Sequence, residues 1–271
     1  DMSDREFEII VFGATGFTGG LTAEYLALQA PKKARWALAG RSRSKLEALR
    51  DHLAALNPAC AELPLLVVES DDTAALAAVA ASTKVIITTI GPYLKYGEPL
   101  VRACAEAGTH YCDLTGEPEF VDSMWLKYHE TAKHSGAKLV HCCGFDSIPH
   151  DLGAYFTVLQ LPAENAIRVR GFVKAGGEFS GGTLHSAVNQ FSRLAQYAKV
   201  KSARKKRDEW PLDRKIGGVL GRVRYLPELG SWTAPMPTID PQVVLRSAAA
   251  LERYGPAFRY GHFVQVKSLG T

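Results

Sequence analysis

Long apolar runs are what this 271-residue sequence most plainly lacks. No stretch approaches the roughly 20 residues that a membrane-spanning helix needs. The opening DMSDREFEII has neither the basic start nor the apolar segment of a secretory signal. Cysteines are few and odd in number: Cys60, Cys104, Cys112, Cys142 and Cys143, with no CxxC spacing among them. That speaks against a disulfide framework and for reduced thiols in a cytoplasmic protein. Cys142 and Cys143 fall on an expected strand, where successive side chains point to opposite faces, so packing rather than redox chemistry is expected of them. The eight histidines are scattered without metal-ligand spacing, and no metal is expected. A formal charge of +4 is too weak to imply a nucleic-acid partner.

What is present is an ordinary globular composition, 46% hydrophobic, whose first half alternates strand-like and helix-like segments. Strands are expected at 7–12, 36–39, 65–68, 85–90, 110–114 and 138–142. Helices are expected at 18–28, 44–56, 73–81, 98–107 and 117–134. Strands apolar throughout and separated by helices indicate a parallel sheet buried on both faces, the doubly wound α/β pattern of a Rossmann fold. Beyond Pro162 the texture changes to alternating polar and apolar residues with glycine and proline turns. A second, mixed α+β domain is expected there, with the boundary between Leu152 and Leu161: residues 1–155, then 156–271. The last segment, FRYGHFVQVK, is strand-like and is followed by no helix, which leads to the expectation that this second domain is incomplete at its C-terminal end.

Gly13, Gly16 and Gly19 stand where the first strand hands over to the first helix. In that setting the first glycine permits a tight turn, the second lets backbone approach a pyrophosphate, and the third lets helix pack on strand. The helix N-terminus, at Phe17 and Thr18, offers free N–H groups to phosphate, and Thr15 and Thr18 add hydroxyls. The second strand runs into LAGRSRSKLEAL. Enzymes that use NAD place an acid at its end to bind the ribose hydroxyls; here Arg41 holds the position, with Ser42, Arg43 and Lys45 beside it. A carboxylate would repel a 2′-phosphate and a guanidinium grips it, so the cofactor expected is NADP(H). Asp71 and Asp72 follow the third strand, either at the adenine edge or capping the next helix. Gly91, Pro92 and Tyr93 follow the fourth, at the sheet edge where the nicotinamide end is expected.

The stretches VFGATGFTG, LAGRSRSKL, TIGPYLKYGEPLVRACAEAGTHYCDLTGE, LKYHETA and GFDSIPHDLG, in that order, resemble the saccharopine dehydrogenase-like oxidoreductases, and most of all the trans-acting enoyl reductases. The resemblance implies an NADP-binding Rossmann domain followed by a domain that carries substrate specificity. It implies reduction of a C=C or C=N bond in a lipid-related acyl substrate. The GATGFTG form of the turn departs from saccharopine-forming enzymes and speaks against an amino-acid substrate. Another class fits the same glycine turn: a protein that binds NADP as a sensor or scaffold and docks to a partner without turnover.

Hydride transfer to such a bond also calls for a positioned proton donor. Candidates are Tyr93, Lys95, Tyr96, Asp146 and His150. For Tyr93 the alternative is packing against the cofactor; for Asp146 it is capping the helix that enters at Ser147. Tyr197 and Lys201 match a Tyr-x-x-x-Lys pair known from other dehydrogenases, but outside the Rossmann half, and are read as coincidence. They lie in a basic stretch, Lys199, Lys201, Arg204, Lys205, Lys206 and Arg207. That stretch is either a solvated helix face or a docking patch for an acidic carrier protein or an anionic membrane surface.

Overall fold

Strand β1 (Phe7–Phe12) is the centre of a six-stranded sheet in the computed structural model, which describes residues 4–145, 147–174 and 193–266. Its partners are β2 (Trp36–Gly40), β3 (Leu65–Val67), β4 (Thr83–Thr88), β5 (His110–Asp113) and β6 (Leu139–Val140), all parallel and ordered β3-β2-β1-β4-β5-β6. The order reverses between β1 and β4, the switch point at which ligands of such sheets bind.

Burial explains the apolar runs. Ile10 and Phe12 of β1 feed one core, with Ala37 and Ala39 of β2. Val11 feeds the other, with Trp36 and Leu38. The first core is closed by α3 (Thr73–Ser82), α5 (Glu98–Ala107) and α6 (Pro118–Ser135), through Leu76, Val101, Cys104, Phe120 and Met124. The second is closed by α1 (Phe17–Gln29) and α2 (Arg43–Leu56), through Ala23, Ala27, Leu46 and Leu53. A one-turn helix α4 (Tyr93–Tyr96) precedes α5. Arg5 ties the far edge together, donating to the carbonyls of Ala80 (2.7 Å), Thr83 (2.6 Å) and Ala107 (2.5 Å).

The chain divides into two compact units, one of residues 1–143 with 185–204, the other of 144–184 with 205–271. Helix α8 (Leu194–Arg207) therefore begins in the first. Buried acids on α6 explain this: Glu119 takes a two-point ion pair from Arg193 (2.6 and 3.0 Å), and Asp122 one from Arg204 (2.5 Å). Two carboxylates with only 7% and 3% of their side-chain surface exposed are stable there because a guanidinium meets each.

The second unit is a mixed sheet. Strand β11 (Ala257–Val266) pairs in parallel with β7 (Ile167–Val173) and β8 (Lys215–Gly218), and antiparallel with β10 (Ser231–Pro235), which in turn pairs with β9 (Arg224–Leu226). Helices α7 (Ile148–Leu159) and α9 (Asp240–Ala250) pack on it through Ala154, Val158, Val244 and Ala248, against Ile167, Tyr254, Phe258 and Tyr260.

Candidate functional site

The glycine turn forms as its spacing requires. Gly13 takes φ +84°, a conformation that costs other residues dearly. Its amide and that of Ala14 donate to the Ala39 carbonyl (2.9 and 3.2 Å), and its carbonyl accepts from Gly16 N (3.0 Å) and Thr89 Oγ1 (3.2 Å). The carboxyl ends of β1, β2 and β4 are thus laced to one loop. Gly19 is buried beneath it; a Cβ there would lie 2.2 Å from the Gly13 carbonyl oxygen. Gly16 is the N-cap of α1 and, among the described residues, no side chain caps the helix, so the first-turn amides around Phe17, Thr18 and Gly19 are left for water or an anion. These residues fit a pyrophosphate. Thr15 lies beside the end of β2, its hydroxyl 3.7 Å from where a Gly40 Cβ would stand.

Arg41 follows Gly40 directly and is exposed, and among the described residues no acid pairs with it. Ser42 is the N-cap of α2, its hydroxyl 3.4 Å from that of Ser44. Lys45 is exposed; Arg43 is shared with Glu47 at 3.7 Å in an exposed pair, worth little to stability. The segment that follows β2, Arg41 to Lys45, thus carries three exposed cations and no acid of its own. Asp72, not Asp71, is the cap of α3, accepting from Ala75 N at 3.0 Å; Asp71 remains exposed in the turn.

Beyond β4, Gly91 is exposed and Pro92 half-buried, joined by a cis peptide bond. Tyr93 turns inward. Its ring is 5% exposed and packs on Phe120, its hydroxyl donates to the Thr88 carbonyl (3.1 Å), and Leu114 N approaches that oxygen at 3.4 Å. Burial, reinforced by the charge of Asp113, raises its pKa far above the ordinary phenol value. The Tyr93 hydroxyl is thus engaged within the buried core. Asp146 lies outside the described residues; the N-cap of α7 is Ser147. Lys95 sits 4.9 Å over the Tyr96 ring.

Sequence reasoning missed the polar frame under this loop. The Glu117 carboxylate accepts from Tyr93 N (2.9 Å) and Leu94 N (3.0 Å) and so caps α4. Buried Asp113 accepts from Tyr111 Oη (2.9 Å), Thr115 N (3.0 Å) and Cys142 N (3.0 Å), and meets His141 Nδ1 at 2.6 Å. Two acids in DLTGE, after a strand, were the available signal. Cys142 is buried and Cys143 exposed, but no strand alternates them: β6 ends at Val140 and Cys142 takes φ +63°. A hydrogen bond between the Cys112 and Cys143 thiols lowers the pKa of the first and raises that of the second. Tyr197 is half-buried with Lys201 5.6 Å over its ring, and burial pushes its pKa up to about 12. Of the basic stretch, Arg204 is committed to Asp122 and to the Trp125 ring (5.0 Å), while Lys199, Lys201, Lys205 and Lys206 are exposed.

Residues 9–140 match the family model described as saccharopine dehydrogenase NADP binding domain. A Mycobacterium ulcerans protein named trans-acting enoyl reductase is 39% identical over 290 residues, covering 99% of this chain and 67% of that protein. A Mycobacterium tuberculosis protein provisionally given the same name is 41% identical over 287 residues, covering 97% of this chain and 66% of that protein. The chain thus spans about two thirds of the length of these relatives. Among solved structures, a Saccharomyces cerevisiae saccharopine dehydrogenase (L-Glu forming) covers 57% of this chain and 31% of its own, at 16% identity and TM-score 0.42.

Proposed function

Because the chain belongs to the trans-acting enoyl reductase family and carries a saccharopine dehydrogenase-type NADP-binding domain, we propose that it reduces the C=C bond of an enoyl, lipid-related acyl substrate with NADPH. One observation carries the cofactor half of this reading: an acid-free cationic edge, Arg41 to Lys45, stands beside an uncapped helix N-terminus at the switch point of a parallel sheet. The helix N-terminus and the Gly13–Gly19 turn would take the pyrophosphate, Arg41 with Ser42 the 2′-phosphate, and Asp71 the adenine edge. Gly91 and Pro92 would line the path to the nicotinamide. NADPH supplies the hydride for such a bond when bound.

The chain's own part is to orient the acyl group and hold water out, and a proton must reach the neighbouring carbon. With the Tyr93 hydroxyl held on the Thr88 carbonyl, the donor is proposed among the remaining candidates, Lys95, Tyr96, His150 and Asp146, the last of which lies outside the described residues. The exposed lysines of α8 support docking to an acidic carrier of the acyl chain.

Incubation of the chain with NADPH and a panel of enoyl thioesters tests the reading, through loss of the reduced cofactor's absorbance. Arg41→Ala is expected to weaken NADPH about ten- to thirtyfold and NADH hardly at all. That corresponds to about 1.5–2 kcal/mol, the lower part of the range for a charge-assisted bond because the site is exposed. Equal losses for both cofactors would overturn the 2′-phosphate assignment. Tight NADPH binding with no oxidation across the panel would favour a sensor or scaffold without turnover.

A further inference from the structure

Three residues that no local pattern links meet inside the second unit. His150 comes from the first turn of α7, Asp240 from the start of α9 and His262 from the middle of β11. His150 Nε2 lies 3.4 Å from Asp240 Oδ1, and His262 Nε2 lies 3.5 Å from Asp240 Oδ2. One ligand atom from each falls within 4.8 Å of the others. Their side chains are 16%, 2% and 1% exposed.

These separations are too long for hydrogen bonds, which run roughly 2.7–3.2 Å. They match the edge of a tetrahedron around a zinc-type ion: with ligands at roughly 2.0–2.1 Å, neighbouring donor atoms stand about 3.3 Å apart. Asp240 Oδ1 is buried with no hydrogen-bond partner among the described residues, a costly state for a carboxylate that an ion would relieve. An outer layer of contacts is built. The Thr238 hydroxyl donates to Asp240 Oδ2, and His262 Nδ1 meets the Tyr260 hydroxyl at 3.0 Å. With Nδ1–H given to that hydroxyl oxygen, Nε2 turns its lone pair towards Asp240. The ring of His150 is held edge-on between Phe145 (5.5 Å) and His262 (4.8 Å).

We propose that His150, Asp240 and His262 form a binding site for a zinc-type divalent transition-metal ion. Two imidazoles and one carboxylate suit zinc, cobalt or nickel; calcium and magnesium prefer shells made of oxygen. Three protein ligands leave a fourth position for water or another donor. The ion would join α7, α9 and β11 at one end of the core that those three elements share, and so stabilise this unit.

Cobalt(II) titration of the untagged, chelator-treated chain tests this directly. One equivalent per chain is expected, with the visible absorption of a four-coordinate ion, displaced by zinc. The unfolding temperature is expected to rise by roughly 5–10 °C at a hundredfold excess over Kd. Asp240→Asn and His262→Gln should each weaken cobalt binding at least about tenfold, with an unchanged circular dichroism spectrum and a retained cooperative unfolding transition as the check on folding. Should either variant fail to fold, X-ray absorption of the zinc-loaded native chain decides, with two imidazole nitrogens expected on the metal. No stoichiometric uptake by the native chain would overturn the proposal, as would undiminished binding in both variants or sulfur ligands in the absorption spectrum.

Discussion

Gly19→Ala is the sharpest perturbation of the glycine turn. The added Cβ would stand 2.2 Å from the Gly13 carbonyl oxygen, 2.8 Å from its carbon and 2.9 Å from Ala14 Cα. An ordinary carbon–oxygen contact is about 3.3–3.6 Å, so a gap of about 1 Å must open. The carbonyl is not free to swing away, because it accepts from Gly16 N and Thr89 Oγ1 and its residue is held at φ +84°. Helix α1 must therefore shift. Overpacking of this kind costs about 1–3 kcal/mol, offset in part by the helix preference of Ala over Gly, about 0.8–1.0 kcal/mol. A net loss of up to about 2 kcal/mol is expected, seen as a drop of up to a few degrees in Tm.

Cofactor binding should suffer more, because displacement of the first-turn amides by about 1 Å forfeits a charge-assisted hydrogen bond, about 1.5–3 kcal/mol or ten- to hundredfold in NADPH Kd. Gly20→Ala is the matched control. Its Cβ would meet only the Ala14 carbonyl oxygen, at 3.8 Å, so it should bind NADPH normally and gain up to about 1 kcal/mol in stability. Fluorescence titration with NADPH and thermal unfolding of both variants read the two effects. If Gly19→Ala binds and melts like Gly20→Ala, the close packing of α1 on the turn does not matter to the cofactor, and the reasoning is refuted.

Tyr93→Phe is expected to lower stability by about 1 kcal/mol, for the bond to Thr88, and to leave kcat for any enoyl substrate within about twofold. A fall of the order of a hundredfold, the usual worth of a proton donor, would restore Tyr93 to catalysis. Glu98 sets a pH dependence. Burial alone would raise its pKa, but hydrogen bonds from Lys127 and Tyr128 outweigh this and lower it. Its contribution is in place above the ordinary carboxylate range and is lost as pH falls through the lowered value. Glu98→Gln should flatten that acid limb of the stability curve by less than about 1 kcal/mol, since the group is 41% exposed. Urea unfolding at several pH values checks it, and an unchanged limb would assign the loss to other groups.

Most of the first unit was legible in the order of residues, because strands buried on both faces are apolar throughout and the helices between them carry their own period. The expected and observed elements differ mainly at their edges, apart from the one-turn helix α4, which was not expected. Strand β4 runs Thr83–Thr88 rather than 85–90, since Thr83 pairs with Phe7 and is fully buried, while Thr89 leaves the strand to bond the Gly13 carbonyl. The glycine turn was readable for a similar reason: a tight turn leaves its mark within a few consecutive positions.

Long-range contacts, which no short window of sequence encodes, decided the rest. Arg204 looked like one more cation of a basic helix until folding set it on Asp122. Tyr93 could be read from sequence as a donor or as a packing residue; folding holds its backbone amide on the Glu117 carboxylate and its hydroxyl on the Thr88 carbonyl. His150, Asp240 and His262 carry no shared spacing; only the packing of α7 and α9 on β11 brings a buried carboxylate between two imidazoles. Local period and turn chemistry are written along the chain, whereas the partner of a buried polar group is set by which distant surface closes over it.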